Sequence, residues 1–232
     1  KGMSPLDARM AFERHATSKI ASAQDLFNIH TLGFRGEALP SIASVAEIEL
    51  KTRRSEDELG SYVRIAASEL KSQESVNTPL GTNICVKNLF FNIPARRKFL
   101  KSDATELRNV INEFLRLALT YPEVTLSLIN NGNEVYNLPV SGLRQRIVNV
   151  FGKSINSRLL NIDCDTELIS IKGFVCSPEH AKKTYGEQYF FVNNRFMKHN
   201  FFHKAVMEAY SGLISADSVS YTHLTLPTKL EV

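Results

Sequence analysis

"TLGFRGEALPSIASV", residues 31–45, sets two glycines around Phe34 and Arg35, adds Glu37, and then runs into apolar residues at helical spacing. Glycine ahead of a helix leaves main-chain N–H groups with no side chain in front of them, and at a helix start such groups suit phosphate oxygens. Glycine pairs before helices are also common structural punctuation, so the string gains weight only from its neighbours. Upstream, Thr17, Ser18 and Lys19 place two hydroxyls and an ammonium side by side. Each alone reads as a surface turn; together they offer donors to one anion.

Working outward from that string, Ser4 and Pro5 give a helix start, with Leu6, Met10 and Phe12 near helical spacing, and "SAQDLFNI" (22–29) repeats the pattern briefly. After it, "ALPSIASVA" is helical by period, whereas "EIELKTRR" (47–54) and "SYVRIAAS" (61–68) alternate as strands do. "GTNICVKNLFFNIPARRKFLKS" (81–102) begins as a strand and turns at Pro94 into a helix. The clearest helix is "SDATELRNVINEFLRLALTYP" (102–122), where Leu107, Val110, Ile111, Phe114, Leu115 and Ala118 make one apolar stripe. "VTLSLI", "NNGN" and "EVYNLP" form a hairpin by pattern. A break in periodicity at residues 139–142 suggests a domain boundary. Beyond it, residues 143–152 and 199–214 read as helices and residues 168–177 and 187–195 as strands. The whole is α+β, without internal repeats.

The chain has 232 residues, 43% of them hydrophobic and 22% charged, which excludes a disordered or fibrous protein. No apolar run approaches the ~20 residues of a membrane helix, and "KGMSPLDARM" is no signal peptide, so the expectation is an intracellular protein whose reading frame is entered midway. Cys85, Cys164 and Cys176 are odd in number and widely spaced, which fits neither a disulfide framework nor paired zinc ligands. Net charge is +4, concentrated in "ARRKFLK", "SGLRQR" and "NRFMKHNFFHK". Such clusters suit a phosphate backbone, and they suit a solvated helix face equally well.

Three strings together carry a resemblance: "GMSPLDARMAFERHATSKI", "TLGFRGEALPSIASV" and "GTNICVKNLFFNIPARRKFLK". They resemble successive ATPase motifs of the MutL family of DNA mismatch-repair proteins, in the GHKL superfamily that also holds gyrase B, heat-shock chaperone ATPases and histidine kinases. The resemblance covers residues 1 to about 215 and implies a partial Bergerat-type α/β sandwich over 1–139, then part of a ribosomal-protein-like transducer domain over 140–218. It implies ATP as the ligand, with magnesium. Thr17, Ser18, Lys19, Gly33, Phe34, Arg35, Gly36, Glu37, Ala38 and Leu39 match the ATP lid, and Gly2 matches the end of an Asp-x-Gly-x-Gly loop. Thr82 matches a Gly-Thr element beside the adenine pocket, and Lys198 is the candidate for a transducer lysine reaching the terminal phosphate, although the lysine position of some relatives aligns with Asn200.

The family's water-activating Glu and magnesium-binding Asn have no counterpart here. Glu37 belongs to the lid and Glu13 to a helix surface, so no residue takes a catalytic or metal-binding role, and this polypeptide alone is expected not to hydrolyse ATP. For the intact relative, the resemblance implies ATP-driven dimerisation and closure of a clamp on DNA in the bacterial cytoplasm. Its implied partners are double- or single-stranded DNA without sequence preference, the mismatch-recognition protein MutS, and a downstream nuclease or helicase. Arg96, Arg97, Lys98, Lys101 and Arg144 are the candidate phosphate contacts. Two other readings stand beside it: a nucleotide-regulated DNA scaffold without hydrolysis, and a type II topoisomerase ATPase domain, against which "NIPARRKFL" argues. Finally, "VSYTHLTLPT" (219–228) is encoded residue for residue by GTC TCT TAT ACA CAT CTG ACG CTG CCG ACG, which looks like a sequencing-library adapter. Residues 219–232 are therefore expected to stand outside the native fold.

Overall fold

In the computed structural model, residues 1–17, 19–20, 31–167, 169–182, 188–215 and 218–226 are described. The short helix expected over 22–29 and the lid residue Ser18 lie outside them. The chain forms two compact units, Lys1–Ser102 and Asp103–Val232.

The first unit is built on a four-stranded antiparallel sheet of β1 (Glu47–Arg53), β2 (Gly60–Ala66), β3 (Glu69–Val76) and β4 (Gly81–Lys87), in the order β3-β2-β1-β4. Alternation along β1 sends Ile48, Leu50 and Thr52 to one buried face, where Ile48 and Leu50 join Val63 and Ile65 of β2. Two short helices complete this core with Ala8 from α1 (Pro5–Met10) and Ala43 from α2 (Ala38–Ala43). The start of α1 follows the sequence signal: the Ser4 Oγ accepts the Asp7 N–H at 3.1 Å, and Pro5 stands first in the helix. Strand β3 lacks a sequence signal. Its side chains are mostly polar and exposed, and Ala67 and Ser68 make the turn from β2 with φ of 49° and 67°, where Asn-Gly would be expected. A five-residue helix, α3 (Pro94–Lys98), follows β4.

In the second unit, α4 (Asp103–Thr120) buries only Leu115, Ala118 and Leu119; Val110, in the expected stripe, is exposed. The hairpin of β5 (Leu126–Asn130) and β6 (Asn133–Leu138) turns at Asn131-Gly132, both with positive φ, as its sequence requires. Next come α5 (Leu143–Phe151), a 3₁₀ turn (Lys153–Arg158), β7 (Leu159–Asp165), β8 (Ser170–Cys176), β9 (Gln188–Val192), β10 (Arg195–Phe196), α6 (Asn200–Ala209) and β11 (Thr222–Leu226). The sheet runs β10-β9-β11-β8-β7, with α5 and the end of α4 supplying Ile147, Val148 and Leu119 to a core that includes Leu159, Tyr189 and Phe191.

Two sequence expectations meet a different arrangement here. Residues 139–142 do not separate the compact units but lie within the second one. Arg146 of α5 reaches across them, its guanidinium donating to the carbonyls of Leu138, Pro122 and Val124, so the hairpin and α5 are fastened together. And β11, expected outside the fold, is a central strand, parallel to β9 and antiparallel to β8, with Val219 to His223 all buried. Its alternating Tyr221, His223 and Thr222, Leu224 side chains fit a pleated strand.

Candidate functional site

The first two strings that carry the resemblance meet in the first unit. Gly36 has φ of 65° and lies so close to the first string that a Cβ would sit 2.5 Å from the Ala16 carbonyl oxygen. That demands glycine on both counts. Next to it, the Glu37 carboxylate stands between Arg35 Nε at 3.0 Å and His15 Nδ1 at 3.5 Å. Its negative charge is thus partly offset. Glu37 is also the first residue flanking α2, whose helical residues begin at Ala38 and Leu39. Thr17 Oγ1 accepts the Lys19 N–H at 3.1 Å, folding that hydroxyl and the lysine into one turn. By contrast Gly33 has open space around it, and Thr31 Oγ1 donates to its carbonyl at 2.9 Å. Glycine is thus required by the local structure at Gly36 and not at Gly33.

A second grouping forms where the start of the chain crosses the sheet. Gly2 runs flat against β1, with the Arg53 carbonyl oxygen 2.0 Å from where a Cβ would be. The Met3 N–H donates to Thr52 Oγ1 at 2.9 Å, Thr52 Oγ1 lies 2.9 Å from Thr82 Oγ1, and Thr82 Oγ1 donates to the Lys1 carbonyl at 3.2 Å. So Lys1 and Met3, on either side of Gly2, are tied to Thr82, far away in sequence, through one hydroxyl chain. Its centre, the fully buried Thr52, escapes the motif reading. One signal was available: a threonine in step with Ile48 and Leu50 on the apolar face of a strand needs a polar partner.

The cationic residues divide between the units. Arg96, Arg97 and Lys98 form the last turn of α3, where cations also suit the helix dipole, and Arg96 lies over the Phe90 ring at 5.9 Å. Lys101 follows that helix, ahead of α4. Arg144 belongs to α5, and its guanidinium donates to Asn156 Oδ1 at 2.9 Å and to the Asn156 carbonyl at 2.8 Å. Arg146, counted in the basic string 141–146, is buried and adds nothing to a surface. Lys198 lines a cavity of the second unit. Among the described residues no three His, Cys, Asp or Glu side chains cluster as a metal site. The three cysteines are unbridged, and no described helix is long and apolar enough to cross a membrane.

These features define a class: an α+β chain with the fold of the GHKL-type ATPase domains. The MutL ATPase domain of Aquifex aeolicus complexed with ADP superposes with a TM-score of 0.65 at 27% identity, over 90% of this chain and 75% of that one. The ATPase region of Saccharomyces cerevisiae topoisomerase II shares the fold alone, with a TM-score of 0.54 at 11% identity over 96% of this chain and 58% of that one. Residues 147–231 match the family model "DNA mismatch repair protein, C-terminal domain". The DNA mismatch repair protein MutL of Bacteroides fragilis is 57% identical over 222 residues, which are 95% of this chain and 36% of that protein. The chain belongs to the MutL family, and it spans little more than a third of the length of the curated relatives it matches.

Proposed function

We propose that this chain is the nucleotide-responsive part of a DNA mismatch-repair factor, in which ATP binding orders the lid and drives dimerisation and clamp closure on DNA in the bacterial cytoplasm. The observation that carries this is the meeting of the two lid strings at Gly36 and Ala16, reinforced by Glu37 with Arg35 and His15. In this reading the bare amides from Gly33 to Leu39 receive phosphate oxygens, with Phe34 held among them. Thr17, Ser18 and Lys19 supply hydroxyls and charge from the other string. Gly2, Thr52 and Thr82 shape the base end. Turnover needs a water-activating group and magnesium, and we assign neither to a residue of this chain. Lys198 as a sensor of the terminal phosphate remains part of the proposal, as do MutS and a nuclease or helicase as partners of the whole protein.

The lid reading has a differential test. Gly36→Val should weaken ATP binding by the protein of the full gene at least tenfold, or roughly 1.4 kcal/mol, because the branched residue is strained at positive φ and meets a backbone oxygen. Gly33→Ala has room for its methyl and should leave the fold alone while lowering affinity through the phosphate contact only. Calorimetric titration with ATP decides; equal affinity in both variants and the parent would sink the lid assignment.

For DNA, we propose that Arg96, Arg97, Lys98 and Lys101 contact phosphates without reading sequence, with Arg144 a lesser contributor. Removing charges from α3 by Arg96→Gln and Arg97→Gln should reduce the slope of log affinity against log salt by about 0.9 per lost contact on duplex DNA. An unchanged slope would make the patch a solvated helix end.

A further inference from the structure

A small cavity of about 70 Å³ lies in the second unit, where two turns meet two strand ends. Phe151 at the end of α5, Ile155, Cys176 at the end of β8 and Tyr221 wall it, all of them buried or half-buried. The rest of the lining is Ser154, Arg158, His180 and Lys182. Ser154 and Arg158 belong to the 3₁₀ turn before β7, and His180 to a second short turn (Pro178–His180) after β8. The backbone that carries them is pinned. The Ser177 N–H donates to the Arg158 carbonyl at 2.9 Å, and Lys182 exchanges both main-chain hydrogen bonds with Val219, at 2.9 and 2.7 Å. One liquid water takes about 30 Å³, so this space holds a single group of a few heavy atoms; pockets for drug-sized molecules start at ~300 Å³.

The charge of this lining is unbalanced. It contains an arginine, a lysine and a histidine, and no Asp, Glu, Asn or Gln. Among the described residues no carboxylate stands within ion-pair distance of Arg158 or His180. The remaining polar side chains, the hydroxyls of Ser154 and Tyr221 and the Cys176 thiol, can each donate a hydrogen bond. Main-chain acceptors of the lining are engaged within the fold. The Arg158 carbonyl is held by Ser177, that of Lys182 by Val219, that of Tyr221 by the Cys176 N–H at 3.0 Å, and that of Cys176 by the Tyr210 and Ser220 hydroxyls at 2.6 and 2.9 Å. Like charges gathered round one small space repel one another unless an anion stands between them. A guanidinium fork alone satisfies a carboxylate, which would leave Lys182 and His180 uncompensated; a phosphate carries about 1.5 to 2 negative charges near neutral pH. We propose that this cavity binds one phosphate group in its doubly charged form, paired with Arg158, Lys182 and His180 and hydrogen-bonded by the Ser154 hydroxyl. The group is free phosphate or the end of a phosphomonoester whose remainder stays outside, since the space holds no more. The proposal uses no residue of the lid and is independent of the ATP reading, which rests on the first unit.

The test follows the His180 ring signals of the full 232-residue chain by proton–carbon NMR, at neutral pH and constant ionic strength, assigned by their loss in His180→Gln. Inorganic phosphate should move them along a saturating curve while the amide signals of β9 stay in place. Arg158→Gln should weaken that response at least tenfold. Lys182→Gln, at an exposed residue, should weaken it as well with the β-sheet amide pattern kept. Ribose 5-phosphate separates the sources: whichever of the two saturates the response names the source, and saturation by both means that the site takes either. The proposal is overturned if neither moves the His180 signals, if acetate or dimethyl phosphate moves them equally, or if Arg158→Gln and Lys182→Gln respond as the parent does.

Discussion

Arg146→Met should destabilise the second unit by about 3–5 kcal/mol, since three backbone carbonyls lose charged donors at once and a buried acceptor left without a partner costs ~1–3 kcal/mol. Arg146 is fully buried, with Nη1 donating to the Leu138 carbonyl at 3.1 Å and Nη2 to those of Pro122 and Val124 at 2.7 and 2.6 Å. Burial holds its pKa below the ordinary arginine value, opposed by the nearby Glu123, yet a guanidinium starts so high that it stays charged. Methionine has similar reach but no donor. Lysine keeps the charge and cannot span three carbonyls from one fork, so Arg146→Lys should fall between the two. Urea unfolding with residue-resolved hydrogen exchange measures this. The loss belongs in Asp103–Val232, and unchanged protection there would mean that the carbonyls find other donors.

The second large effect is acid sensitivity from His223. Its ring is buried against Phe191, 4.9 Å between centroids, its Nδ1 has no partner among the described residues, and burial pushes its pKa down from 6.5 to about 4. Between those values the unfolded chain takes up a proton that the folded chain refuses. The stability is therefore complete above pH 6.5 and declines as pH falls towards 4, by ~1.4 kcal/mol per pH unit and roughly 3 kcal/mol in all. Glu49, Asp57 and Glu69, held below the usual carboxylate range by hydrogen bonds from Lys87, Arg54 and Lys71, lose their contribution only at more acid pH and in the first unit. His223→Leu should flatten the dependence of the second unit's urea midpoint between pH 7 and 4.5. A slope identical to the parent's would mean that the ring is hydrated or protonated in the folded chain.

Residue 223 also marks the limit of what could be read without coordinates. The local signals were faithful wherever a few neighbouring residues settle the backbone: the Ser4-Pro5 helix start, the Asn131-Gly132 turn, and the alternation of β1 and β2. The family was legible because the strings that carry its resemblance, residues 2–20, 31–45 and 81–101, are each contiguous. The domain boundary and the adapter-like tail went the other way. Residues 139–142 break the pattern locally, but Arg146 ties the segments on both sides together.

What the amino-acid order determined, then, was the α+β class, set by periodicity, and the family, set by the resemblance of contiguous strings. Tertiary structure alone decided which residues meet. Thr52 joins Met3 to Thr82, Arg146 becomes a buried clamp and no longer part of a basic surface, β11 enters the middle of a sheet, and Arg116, Gln188 and Lys198 line one cavity. The reason is physical: hydrogen bonds and burial between residues tens of positions apart depend on which surfaces the fold presses together, and no local pattern carries that distance.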